Sequence, residues 1–517
     1  MSTLLYCLIM LWGITMNSKR IFSILLSAII LVQTLTACSS SSDSGKVSTD
    51  AETSAAAQET TEDVTEDEYK YLTDIGKRCS DGAVITFAAI NDGTVDSILN
   101  DISVESENGV LLNDVIYQRN RRIEEKLGAK IVCDGFDERN DLTSAVKRDV
   151  LSADGRYDVV DANTCEMPVL FTNECLLDFA EIPNLSLDKE WWNQSANESF
   201  SVAGKNYVLI SSLNHFADAV VWGVMFNKYM FDGYNLTYPY QMVNDGTWTI
   251  DAMTEMMKSV PLDSNGSGGT DSGDIFGCMA QPFDAAALVT SFNCKYFTKD
   301  ENDIPQFTLA SESNVTKFNK IFDLFADKTA TCNVNDYKSE FENVWNDLWV
   351  NSFVNDRALF MFNAIVNLMD FTDMDHDYGF LPMPKYDEAQ SDYHTMTSMW
   401  YTSSLAIPVS HSSAAEDIGL VLEGLSYLSY MDVDKAYYDT YLTNRYIRDE
   451  ESSQMMNIII NTKTFDVGFM FDWGTAMQLP QQIITSGKNT FASTIAKKES
   501  SVVGAMNKTV SIITGNP

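Results

Sequence analysis

Apolar and polar positions follow two different rhythms along this chain. From Ala83 to Ile90 the residues are almost continuously apolar, as expected of a strand covered on both faces, and the polar pair Asn91-Asp92 follows directly. Leu112, Ile116, Ile123 and Leu127 then recur at helical spacing, Gly128 stops that helix, and Ala129 to Cys133 predicts a second strand. Leu142, Val146 and Val150 mark a further helix, and Tyr157 to Val160 a third strand. This β-α-β-α-β order predicts a parallel sheet with right-handed crossovers.

Two apolar stretches, Gly204 to Ile210 and Ala219 to Lys228, are split by a polar turn from Ser211 to Asp218. Strand and helix alternate on both sides of this passage, so it predicts the crossing from one lobe into another and, with that, a hinge. Beyond it, Thr249 is placed to cap a helix and Asp251 to complement its positive end. Val315, Phe318, Phe322 and Phe325 form one apolar helix face, a core stripe by default. Arg357 to Asn363 predicts a strand, Tyr378 to Lys385 a return crossing, and Met399 to Pro408 a strand lining a cleft. Ser413 to Glu416 is patterned as a capping box, with Ile418, Leu422 and Leu425 facing inward behind it.

The N-terminus carries different information. Lys19-Arg20, the twelve apolar-rich residues Ile21 to Val32 and the ending Leu35-Thr36-Ala37-Cys38 predict a signal peptide over residues 1–37. Residues 1–15 fit no part of such a signal, and Met16 is the better start. Ser39 to Glu68 holds nine acidic residues against one Lys and no aromatic residue, too little apolar surface to fold. As a linker within residues 38–80 it would span roughly 30 Å as a coil.

Composition narrows the function. The 517 residues are 45% apolar, with a mean hydropathy of -0.13, enough for two lobes. With 35 basic and 73 acidic side chains the formal charge is -38, which disfavours nucleic acid and anionic lipid as partners. Of nine cysteines, Cys79, Cys133, Cys165, Cys175, Cys278, Cys294 and Cys332 belong to the body, an odd number without paired spacing, so mostly free, buried thiols are expected. There is no HExxH, GxSxG or P-loop pattern, and the four histidines lack metal-ligand spacing. Asp263 to Asp274 sets Asp263, Asn265, Ser267, Asp271 and Asp274 on positions 1, 3, 5, 9 and 12 of a calcium loop, with glycine at position 6. A plain Gly/Ser/Asp turn is the preferred reading of the stretch, and a calcium ion here would be structural.

Several stretches resemble the extracellular solute-binding proteins of ABC importers, the group that contains the maltose-binding protein. Leu35-Thr36-Ala37-Cys38 is similar to a bacterial lipobox, in which Cys38 would carry the lipid. Gly204-Lys205-Asn206-Tyr207 followed by Phe226-Asn227-Lys228 resembles that family's first inter-lobe connection. Pro239-Tyr240 with Gly246-Thr247-Trp248-Thr249 resembles its Gram-positive branch. Ala358 to Asn363 and Gly379 to Pro384 resemble its later strand and return crossing. The likeness implies an α/β, two-lobe, periplasmic-binding-protein-like (type II) fold with a hinge of crossing strands. The first lobe would comprise 81–217 plus about 376–445, and the second 218–375 plus about 446–517. It implies no catalysis and no required cofactor.

The resemblance further implies a lipid-anchored protein at the extracellular face of the membrane that captures a carbohydrate and passes it to permease subunits. The body would meet the membrane through the anchor alone. Ligands of open parallel sheets sit beyond the carboxyl ends of the strands, which nominates Asn91, Asp92 and Asn163. Asp218, Trp222, Asn363, Trp400, Tyr401, Asp472 and Trp473 complete the candidates, with Trp400 and Trp473 as the stacking faces. Turn formation explains Asn91 and Asn163 as well, and core packing explains Trp400 and Trp473. Two other readings stand beside transport: a secreted glycoside hydrolase using two carboxylates, and a lipoprotein that senses its ligand.

Overall fold

The computed structural model describes residues 69–91, 98–261, 263–438 and 449–515. The signal segment, Cys38 and the acidic stretch up to Glu68 lie outside the described residues, as does Asp92. The chain divides into two units, Met1–Asp74 and Ile75–Pro517. In the first, the described part is a short helix, Lys70–Asp74.

In the second unit the chain is already fastened before residue 81, where the linker was expected to end. Lys77 Nζ donates to Asn184 Oδ1 at 2.5 Å, and the Cys79 amide donates to the Leu127 carbonyl at 2.8 Å. From there the order is β1 (Val84–Ile90), α1 (Leu111–Leu127), β2 (Lys130–Phe136), α2 (Arg139–Ser152) and β3 (Val159–Asn163). All three strands and both helices fall where the apolar rhythm predicts. Gly128 ends α1 in the left-handed conformation at φ 77°, its amide bonded to the Glu124 carbonyl.

The chain continues with β4 (Trp222–Asn227), α3 (Ile250–Met257), β5 (Phe276–Ala280), α4 (Asp284–Ser291), β6 (Phe297–Lys299), β7 (Pro305–Phe307) and α5 (Glu312–Ala326). Thr249 caps α3 through the Ala252 amide, and α5 buries Phe318, Ile321, Leu324 and Phe325. Next come β8 (Thr331–Asn333), β9 (Ala358–Ala364), β10 (Tyr378–Pro382), β11 (Thr395–Met396) and β12 (Ser403–Ala406). Last are α6 (Ala415–Leu428), α7 (Glu450–Asn461), β13 (Lys463–Thr464), α8 (Leu479–Ser486) and α9 (Phe491–Thr514).

Two sheets organise these elements. The first has the order β12-β3-β1-β2, with β1 parallel to β2 and β3, and β12 antiparallel to β3. The second has the order β10-β4-β9-β5-β8, with β5 parallel to β8 and β9 while β4 runs against both β9 and β10. Two antiparallel passes join them. Leu209 bridges Leu405, Val221 bridges Thr397, and the chain leaves Val221 directly into β4. Asn214 secures this crossing by donating to Asp161 Oδ1 at 3.1 Å and to Ser403 Oγ at 2.8 Å.

Some expectations change. Gly204 to Ile210 makes isolated bridges rather than a strand: Lys205 pairs with Val202, and Leu209 with Leu405 of β12. Tyr378 to Pro382 was expected to begin the return to the first lobe near residue 376. It pairs with β4 in the second sheet instead, and the chain regains the first sheet at Ser403. The capping box is not made: a 3₁₀ segment, Val409–Ala414, runs into α6, whose cap position is Ala414 with no side-chain bond.

The apolar core runs without a break from Ala88 and Val160 of the first sheet to Val224 and Phe360 of the second. The tandem Trp191 and Trp192 are both buried, and the Trp192 indole donates to Glu423 Oε2 at 3.0 Å. Cys79, Cys133, Cys165, Cys175, Cys278, Cys294 and Cys332 are free thiols, five of them buried. Burial pushes Cys133 and Cys294 up to about 12, so these thiols stay protonated and unreactive.

Candidate functional site

In the first sheet the chain turns back at β1, sending β2 to one side of it and β3 to the other. The carboxyl ends of β1 and β3 flank that reversal, where open α/β sheets leave a crevice. Asn91 follows β1 and is exposed, while Asn163 ends β3 and is buried. The Asn163 amide nitrogen donates to the Trp400 carbonyl at 2.7 Å, which draws the turn before β12 onto the end of β3. Its Oδ1 is buried without a partner. A buried amide oxygen lacking a donor costs about 1–3 kcal/mol, so the position favours an incoming hydroxyl or amine.

The second sheet meets this edge through Trp222, the first residue of β4, and through Phe283-Asp284 at the start of α4. Trp222 and Phe283 have ring centroids 5.4 Å apart, and Phe283 and Trp400 5.8 Å apart, edge to face. Trp222, Phe283 and Trp400 thus form one aromatic row that starts on the second sheet and ends on the first. Trp222 is fixed from behind: its indole nitrogen donates to Asp284 Oδ1 at 3.1 Å, and the Gln281 amide donates to Asp284 Oδ2 at 2.8 Å. Asp284 is completely buried, and burial pushes its carboxyl up to about 7 despite those two bonds.

Beside the row, Tyr401 is 40% exposed, and the Arg139 guanidinium lies 5.9 Å from its ring centroid. Trp400 and Phe283 are half-buried. The cavity of about 580 Å³ in the second lobe is lined by other residues, among them Thr249, Asp251, Asp387 and Glu388.

Of the sequence candidates, Asn163, Trp222, Trp400 and Tyr401 come together here, and Asn91 stands at the neighbouring strand end. The others do not join them. Asp218 forms an ion pair with Lys463 at the crossing. Asn363 is buried within β9, its Oδ1 accepting from the Ala364 amide and from Asn367. Trp473 is 4% exposed, stacked on Phe471 at 4.8 Å, packed against Phe297 and bonded through its indole to Thr509, so neither face is open. Asp472 holds the turn before it, accepting from the Met477 amide and Gln478.

Asp263, Asn265, Ser267, Asp271 and Asp274, the calcium-loop candidates, bond largely to the loop's own backbone. Asp263 accepts from the Gly268 amide, Asn265 from the Ser267 amide and Asp271 from the Gly273 amide. Asp274 accepts from the Asn265 and Asp271 amides. No group of three or more His, Cys, Asp or Glu suited to a metal ion occurs among the described residues.

Phe283, Asp284 and Arg139 are site residues that the sequence candidates do not include. Each follows closely on the carboxyl end of a strand, β5 or β2, and the rule that nominates Asn91 and Asn163 would have reached them.

No family model and no curated protein matches this chain. Among solved structures it is similar to a cyclo/maltodextrin-binding protein complexed with maltotetraose, at a TM-score of 0.55 and 11% identity over 83% of this chain and 98% of that one. It is also similar to the galacto-N-biose/lacto-N-biose I-binding protein of the ABC transporter from Bifidobacterium longum, in complex with lacto-N-biose. There the TM-score is 0.53 and the identity 14%, over 83% and 98% of the two chains. A third likeness is to an ABC substrate-binding protein from Listeria monocytogenes in complex with cycloalternan, at a TM-score of 0.50 and 13% identity over 83% and 100%. Likeness at these identities defines the fold. The chain has the two-lobe α/β fold of solute-binding proteins, its sheets mixed in strand direction and joined by crossing segments.

Proposed function

We propose that this protein is a lipid-anchored extracellular substrate-binding protein that captures a carbohydrate and delivers it to an ABC importer, without covalent turnover. The observation that carries the reading is the meeting of the Trp222-Phe283-Trp400 row with the unsatisfied Oδ1 of Asn163, where the two sheets face each other. Sugars present C–H faces to aromatic rings and hydroxyls to amide and carboxylate groups, so such a junction suits them. The three structural neighbours named above hold carbohydrate ligands, which supports the same reading. Two lobes joined by crossing segments supply the means of capture, since a ligand that prefers the closed form draws them together.

A glycan panel read by thermal shift tests it. A ligand present at 100 times its Kd stabilises the folded state by about 2.7 kcal/mol and raises the melting temperature accordingly. The bound glycan is then recovered by denaturation and analysed. Recovery unchanged supports a binding protein, whereas recovery cleaved supports the hydrolase. For the anchor, Cys38→Ser should release the protein from cells into the medium; retention at the membrane would refute lipidation there.

A further inference from the structure

Arg139 opens α2 just past the carboxyl end of β2, on the edge of the first sheet that holds Asn91 and Asn163. Its guanidinium lies over the Tyr401 ring at 5.9 Å, with Nη1 4.0 Å from Cys165 Sγ. The chain has 73 acidic side chains against 35 basic ones, yet among the described residues none places a carboxylate oxygen within 4.0 Å of Arg139. Arg122 and Arg156, by contrast, reach Asp432 and Asp134 at 2.9 and 2.5 Å. Glu166 engages the same thiol, with Oε1 3.8 Å from Cys165 Sγ, and forms no ion pair with Arg139. Burial pushes Cys165 up to about 12, so the thiol is neutral and supplies no counter-charge.

A second feature lies on the same turn and points to a ligand. Asn163 is 4% exposed, bonded on its nitrogen side to the Trp400 carbonyl, and carries the buried acceptor without a partner. Trp400 precedes Tyr401, so the guanidinium, the ring and the vacant acceptor belong to one cluster. A planar guanidinium matches a carboxylate in two parallel bonds, which makes arginine the side chain suited to that group.

We propose that the ligand is an acidic oligosaccharide containing a uronic acid, its carboxylate taken by Arg139, with Tyr401 and Asn163 Oδ1 beside it to receive the sugar ring and a hydroxyl. This rests on the carbohydrate-binding reading above and names the substrate class of that site. It also accounts for a cation that meets no carboxylate among the described residues of a strongly acidic protein: a neutral sugar leaves Arg139 without such a partner, whereas a uronate supplies one.

The test compares oligogalacturonate with neutral oligogalactose of the same length and a sulfated galactose oligomer. Each is titrated into the wild-type protein and into Arg139→Gln and Arg139→Lys, with the ligand-free melting temperature of each variant as the folding control. The expected result is that oligogalacturonate binds the wild type, weakens with added salt, and loses roughly 10- to 100-fold in affinity in Arg139→Gln, the range for a charge-assisted bond. Arg139→Lys should recover part of that loss. Uronate affinity unaffected by Arg139→Gln overturns the proposal, as does binding of the sulfated oligomer in preference to the uronate. Binding of the neutral oligomer with rejection of the uronate overturns it while leaving the carbohydrate reading intact. Absence of binding by any glycan in the panel removes both.

Discussion

Asp284→Asn tests the architecture behind the aromatic row, because the carboxyl is buried with no cation against it among the described residues. Its value is raised from 3.8 to about 7 chiefly by burial, with the Gln281 amide and the Trp222 indole pulling it the other way. A carboxyl raised in the folded state favours folding while it is protonated. That stabilisation is complete below pH 3.8 and declines until the pH passes about 7. At ~1.4 kcal/mol per pH unit the interval amounts to about 4 kcal/mol.

Asparagine cannot ionise, so it escapes the decline, but it has a single oxygen for two donors. Turning its NH₂ toward the Gln281 amide or the Trp222 indole costs about 1–3 kcal/mol. Near pH 4 the variant should therefore be the less stable protein by about that amount, and above pH 7 the more stable by about 1–3 kcal/mol. The assay is the melting temperature of both proteins from pH 4.5 to 8.5, and the expected outcome is a change of sign in their difference. A difference of constant sign and size across that range would show that burial does not raise Asp284 in the folded state, and the account of its buried carboxyl would fail.

Four further outcomes are expected. Gly419→Ala places a Cβ 1.9 Å from the Pro183 carbonyl oxygen; instead of the usual helix gain of up to about 1 kcal/mol, the melting temperature should fall, and a rise would refute the packing of α6 there. His411 Nδ1 lies 2.6 Å from Asp158 Oδ1, and that bond raises its pKa above 6.5. Its stabilisation is complete below pH 6.5 and lost as the pH rises through the folded value, so His411→Asn should lower the melting temperature more at pH 5.5 than at pH 9. Trp473→Ala should cost about 3–5 kcal/mol of stability with little change in glycan affinity, and Trp400→Ala should mainly weaken binding; the reverse pattern would move the site to the tail. Calcium or a chelator should leave the melting temperature unchanged, since Asp263 Oδ2, Asp271 Oδ1 and both oxygens of Asp274 already accept from backbone amides of the loop; a rise of several degrees with calcium would support the metal reading.

What the chain determined by itself is what depends on neighbours in sequence. The apolar run from Ala83 to Ile90 and the spacing of Leu112, Ile116, Ile123 and Leu127 yield β1 and α1 because burial of a strand or a helix face is written in a period of a few residues. Gly128 and Thr249 punctuate helices through bonds reaching at most four residues. The same local reasoning fails at Ser413, because the backbone arrives there in a 3₁₀ turn. Tertiary structure alone separates Trp400 from Trp473. As residues they are equivalent, and which keeps an accessible face depends on Phe297 and Thr509 in one case and on Phe283 and Asn163 in the other. Likewise, that Asp284 holds Trp222 across 62 positions and that Arg139 meets no carboxylate among the described residues are properties of the assembled chain. Contacts closed over such separations depend on how the whole chain packs, and no local period encodes them.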